Sequence, residues 1–170
     1  MTDRLSPRAA GCLLFLVFLT GAASAQSVTK LDDFRDWTSY VAAEGAGKLC
    51  FALSRPKDVA PTPDGFTEAY LYLTHRPGEN VRNEFNLVAG FTFAADTPAV
   101  VTVAGESYQL FTENDAAWLD DPAQSEALAG VIRAGTTLVV EGTSDKGIKI
   151  TETFSLSGAT AASNAIDAEC

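Results

Sequence analysis

The sequence predicts an all-β domain: an antiparallel β-sandwich with one short helix and a helical C-terminal tail. Apolar residues recur with a period of two through most of residues 26–170, the mark of strands packed on one face. Turn-forming residues separate these runs at hairpin distances, and only two segments switch to the helical period. About seven or eight short strands so arranged are the pattern of a sandwich.

The first 25 residues read as an export signal. Arg4 and Arg8 make a positive start, Cys12 to Phe18 an apolar centre, and Ala23, Ser24 and Ala25 offer the small side chains that signal peptidase needs. The apolar run is short of the roughly 20 residues that span a bilayer. Cleavage before Gln26 leaves a single domain of 145 residues, long enough for one core and without a transmembrane segment. Removing the signal leaves 10 basic against 21 acidic side chains, a net charge of −11. Such a chain repels nucleic acid and anionic lipid, and suits solubility in an oxidising space such as the periplasm.

Along the domain, "FRDWTSYVA", "KLCFALS" and "EAYLYLT" read as strands. Between the last two, Arg55 to Phe66 holds Pro56, Pro61, Pro63 and Gly65 and reads as a surface loop. In "EFNLVAGFTF", Phe85, Leu87, Ala89, Phe91 and Phe93 alternate onto one face. "VVTVAGESYQLF" predicts a hairpin turning at Ala104 and Gly105, and "TLVVEGTSDKGIKITETFSL" a second turning at Asp145 to Gly147. "DPAQSEALAGVIRAG" predicts a helix, with Asp121 as N-cap, Pro122 in the first turn, Gln124 three positions after the cap and Gly135 beyond the end. In the tail, Ala162, Ile166 and Cys170 recur at i+4 and share a helical face that points toward the sandwich.

With Cys12 discarded in the signal, Cys50 and Cys170 remain, an even count in an exported chain, so one disulfide is expected. Closing so long a loop is worth roughly 4–5 kcal/mol on the chain-entropy model. If Leu49, Phe51 and Leu53 face the core, Cys50 faces outward and the tail helix lies over the outside of its sheet. The opposite arrangement fits the pattern too. No second pair of Cys or His completes a zinc site, and no cofactor is expected.

These segments together resemble the invasion-associated locus B family of exported bacterial proteins. The resemblance runs through "CFALSRP" from Cys50, "THRP" with "VRNEF" through Phe85, and "GFTF" at Gly90. It continues through "YQLFTENDAAW" to Trp118, "EGTSDKG" to Gly147, "TFSLSGATAA" to Ala162 and the final Cys170. It implies an immunoglobulin-like β-sandwich, a periplasmic or envelope location and a name drawn from entry into host cells. It implies no catalytic mechanism and no cofactor. Thr92 stands where the family commonly has proline, Phe154 replaces a tyrosine and Ala159 an aromatic residue, which weakens any binding role resting on those rings.

The candidate binding residues fall in two stretches. Glu113, Asp115, Asp120 and Asp121 crowd around Trp118, a composition able to hold sugar or calcium, although the central glycine of a familiar calcium loop is missing. The same residues also suit a solvated loop with Trp118 folded onto the core. Arg76 and Arg82 offer two guanidiniums to an anionic group, with Arg82 placed to pair with Glu84 on one strand face. His75, the single histidine, is expected to face solvent at a strand end and has no nucleophile-elbow motif to serve. Tyr70 and Tyr72 share the face opposite Leu71 and Leu73. The expectation is therefore a non-enzymatic exported protein that acts by recognising an envelope or host protein. The alternative is a small-ligand module using the loop around Trp118 to bind, for example, a saccharide.

In natively exported, non-reduced protein, neither Cys50 nor Cys170 should take up an alkylating reagent, as mass spectrometry can read. Alkylation of both removes the basis for the compartment and the tail's attachment.

Overall fold

A computed structural model describes residues 27–45 and 47–170; the export signal read over residues 1–25 lies outside these. The described residues form eleven strands: β1 (Val28–Phe34), β2 (Trp37–Glu44), β3 (Gly47–Ser54), β4 (Asp58–Ala60), β5 (Tyr70–Arg76) and β6 (Val81–Val88). Then follow β7 (Ala99–Val103), β8 (Glu106–Glu113), β9 (Ala116–Trp118), β10 (Thr137–Thr143) and β11 (Lys149–Ser155). Two helices join them, α1 (Pro122–Ala134) and α2 (Ala159–Glu169).

The all-β expectation with one helix and a helical tail holds. The strands make one continuous antiparallel sheet in the order β1-β2-β3-β5-β6-β9-β8-β7-β10-β11-β4. Strand β8 carries the ladder from one half to the other: Glu106–Leu110 pair with β7, and Phe111–Glu113 pair with β9. The two halves and both helices bury one common core.

Local chemistry explains the elements. Ala104 and Gly105 both adopt positive φ, which lets a two-residue turn match the twist of β7 and β8. The Asp121 side chain accepts a hydrogen bond from the Ala123 backbone amide, capping α1, and Pro122 occupies its first turn. Helix α1 then buries Leu128, Ala129 and Ile132 and packs on β6. Gly158 opens α2 at φ +100°, and a Cβ there would fall 1.7 Å from the Phe34 carbonyl oxygen, so only glycine lets β1 approach the helix start.

Four strand assignments differ from the sequence reading, one of them β9 (Ala116–Trp118), a strand where a loop around Trp118 is read. "FRDWTSYVA" is split, because Arg35 takes φ +59° and folds β1 back against β2. The proline-rich loop contributes β4, a three-residue edge strand on β11. The run through Phe93 ends as a strand at Val88; Gly90 at φ +72° breaks it, and Phe93 re-enters as an isolated bridge to Ser144. No described helix is long and apolar enough to cross a membrane.

The Cys50 and Cys170 sulfurs stand 2.07 Å apart with their Cα atoms 6.1 Å apart, as a disulfide requires. The face of β3 is the reverse of the arrangement in which Cys50 points outward. Cys50 and Ala52 are fully buried and Ser54 nearly so, whereas Leu49, Phe51 and Leu53 are half-exposed. Helix α2 lies on the inner face of β2 and β3, with Ala159, Ala162 and Ile166 buried against them.

His75 corrects another expectation: it is fully buried, because it continues the inward parity of Leu71 and Leu73. Its Nδ1 accepts a hydrogen bond from the Asn83 backbone amide at 3.0 Å. The proton therefore sits on Nε2, which donates to Asp167 at 2.8 Å. Asp167 also receives Arg133 at 3.4 Å, and Arg133 donates to Asn83 at 3.0 Å. Polar side chains from β5, β6, α1 and α2 thus bond to one another and fix how the helices sit: His75 and Asn83 are buried, Arg133 and Asp167 partly exposed, and the Arg133 Nε meets no partner among the described residues.

Glu152 on β11 is the contrasting case. It is 1% exposed, and neither carboxylate oxygen meets a hydrogen-bond partner among the described residues. Burial pushes its carboxyl up to about 8 from an ordinary 4.5. Between those values the unfolded chain has released the proton that the folded chain keeps, so stability falls as pH rises. The slope is about 1.4 kcal/mol per pH unit. Glu152→Gln should flatten this dependence between about pH 5 and 8 in thermal or urea melts, and melt higher than the parent at pH 8. An unchanged slope would show that Glu152 is ionised in the folded state.

Candidate functional site

Because the inner face of β2, β3, β5 and β6 is closed by the helices and the second half of the sheet, the outer face carries the side chains of opposite parity. Register aligns them in rows. Leu53, Tyr72, Asn86, Trp118 and Phe111 stand directly opposite one another across β3, β5, β6, β9 and β8. A neighbouring row holds Tyr40, Phe51, Thr74 and Glu84. Tyr70 and Val88 begin a third. All but Thr74 and Phe111 are half-exposed; Thr74 is nearly buried, and Phe111 is 57% exposed.

The rings support one another. Tyr40 stacks on Phe51 at 5.1 Å between centroids, Phe51 meets Tyr72 at 6.0 Å, and Tyr72 meets Tyr70 at 6.1 Å. Phe111 and Trp118 form a second cluster at 5.1 Å. The Arg55 guanidinium caps the Tyr70 ring at 5.0 Å. Mutual contact holds these side chains in place before any ligand arrives.

Between the two clusters runs a groove of about 460 Å³, walled by Phe51, Tyr72 and Trp118 and floored by Thr74 and Asn86. Arg76 and Glu84 stand at its rim and form an ion pair; Glu44 lies 3.5 Å from Arg76 on the other side. The guanidinium is thus neutralised. Burial, with the neighbouring Tyr70 hydroxyl, pushes the Tyr72 hydroxyl above its ordinary range, so it stays neutral at physiological pH. Among the described residues, the Asn86 amide and the Thr74 hydroxyl have no intramolecular hydrogen bond, so both are free to meet a ligand.

Of the residues singled out from sequence, Arg76, Trp118, Tyr72 and Glu84 come together at this groove. Trp118 lies on β9 rather than in a loop, and its ring faces outward beside Phe111 rather than folding onto the core. Glu113 and Asp115 flank the β8–β9 turn, and Asp115 lines a different hollow with Asp145, Lys146 and Gly90. Asp121 is spent on its cap. The acidic residues therefore do not converge on Trp118, and no group of three metal-ligating side chains gathers among the described residues. Arg82 does not pair with Glu84. Asn83 takes φ +52° where the β5–β6 register shifts, and Arg82 reaches the Cys170 carbonyl oxygen at 3.1 Å instead.

Phe51, Asn86 and Phe111 were not singled out as site residues. A signal existed for Phe51 and Leu53: β3 is apolar on both faces, as a strand with two covered or recognising faces must be.

No family model matches the chain, and no curated protein matches it in sequence. Among solved structures, the crystal structure of invasion associated protein B from Bartonella henselae is similar in fold, with a TM-score of 0.61. The two chains are 14% identical, and the match covers 83% of this chain and 97% of that one. The likeness is one of fold.

Proposed function

We propose that this chain belongs to the invasion-associated locus B family and is an immunoglobulin-like sandwich exported to the bacterial envelope. There it acts as a non-enzymatic recognition protein, holding its partner against the open face of the sheet. The carrying observation is that face itself: aromatic rings on five strands, Tyr40, Phe51, Tyr72, Trp118 and Phe111, braced by mutual contact in two clusters with a groove between them. Flat aromatic surfaces with a polar rim are what recognition interfaces use, since Tyr and Trp supply contact area at small entropic cost. The fold likeness, the ordered series of matching segments, the Cys50–Cys170 bridge and the acidic net charge support the location.

A photoreactive phenylalanine analogue placed at Phe111 in living cells should give adducts of higher mass. The same analogue at Glu141, exposed on the other half of the sheet, should not. Equal labelling at both positions, or none at either, would sink the open-face reading.

A further inference from the structure

We infer that the groove between Tyr72 and Trp118 binds a neutral glycan, a deepening that rests on the open-face reading. Tyr72, Asn86 and Trp118 stand opposite one another on three adjacent strands. Two strand spacings set the aromatic walls about 10 Å apart, which leaves room for one pyranose ring lying on the sheet. A sugar ring offers an apolar C–H face and an edge of hydroxyls. The walls meet the first. The Asn86 amide, with donors and an acceptor side by side, and the Thr74 hydroxyl meet the second. At about 460 Å³ the groove is within the range of small-ligand sites, and such sites combine apolar walls with a few convergent polar groups.

Charge selects a neutral ligand. The guanidinium in the groove is neutralised by Glu84 and Glu44, Tyr72 keeps its proton, and the chain as a whole is strongly acidic. An anionic sugar or nucleic acid would meet net repulsion. The polar floor argues against a protein occupant. A dry protein interface concentrates apolar anchors at its centre, and covering Asn86 and Thr74 without partners is costly. Phe111, beyond Trp118 in the same row, provides a further ring on which a second sugar unit can stack.

Calorimetric titration of the full chain with cellotriose, triacetylchitotriose and maltotriose tests this. At least one sugar should bind saturably. Trp118→Leu and Asn86→Leu should each weaken it at least tenfold, about 1.4 kcal/mol, while melting as cooperatively as the parent. Asn86→Leu keeps the side chain's size and removes the Asn86 hydrogen bonds while the aromatic walls and the Thr74 hydroxyl stay, so undiminished sugar binding in that variant overturns the assignment. So does the absence of saturable heat with all three sugars. If adducts at Phe111 then form with a protein and survive Asn86→Leu, the occupant is a protein and only the glycan assignment falls. If those adducts are also missing, the open-face reading falls with it.

Discussion

Helix α2 is seated on the inner face of β2 and β3, and the Cys50–Cys170 bond makes that seat covalent. This constraint decides which side of the sheet is core and which is surface. Cys50 points inward opposite His75, and His75 reaches Asp167 on the same helix, so the sulfur bridge and the polar contact act on neighbouring turns. Lys48 adds a surface contact to Glu169 at 2.6 Å, worth little by itself. With α2 placed inside, Leu49, Phe51 and Leu53 fall on the opposite face beside Tyr40 and Tyr72. The open aromatic face is thus a geometric consequence of where the tail is tied.

The two buried polar sites show opposite solutions to one problem. His75 and Asn83 are buried and exchange hydrogen bonds with the partly exposed Asp167 and Arg133 across four elements, so the relative placement of α1 and α2 becomes specific. Glu152 meets no such partners among the described residues and escapes the cost of a buried charge by holding its proton. The first arrangement resists displacement of the helices. The second ties the stability of β10 and β11, and of the edge strand β4 beside them, to the ambient pH.

On the outer face, aromatic rings that would otherwise rotate in water are braced by their neighbours, so less conformational freedom remains to be lost on binding. The edges of the sheet are treated differently. Strand β1 carries Lys30, Asp32 and Asp33 and a register shift around Leu31, and β4 is three residues long. Charges, irregularity and shortness all discourage strand addition at these edges.

Period-two alternation, turn residues and cap chemistry act over a few residues, and the elements that depend on them were legible: both hairpins, the Asp121-capped helix and the tail helix with Ala162 and Ile166 inward. The pairing of Cys50 and Cys170 was legible because reading Cys12 as part of an export signal left each with one expected partner. Short strands such as β9 were not, since Ala116–Trp118 is held by β6 and β8 rather than by its own pattern. The candidate site was legible only in fragments, as Tyr72, Arg76, Glu84 and Trp118, because its rows run across strands far apart in sequence. In "LCFAL" both parities are apolar, so local sequence favours neither face. Only the tertiary seat of α2, which needs small residues such as Ala52 beneath it, decides that the bulky side chains turn outward.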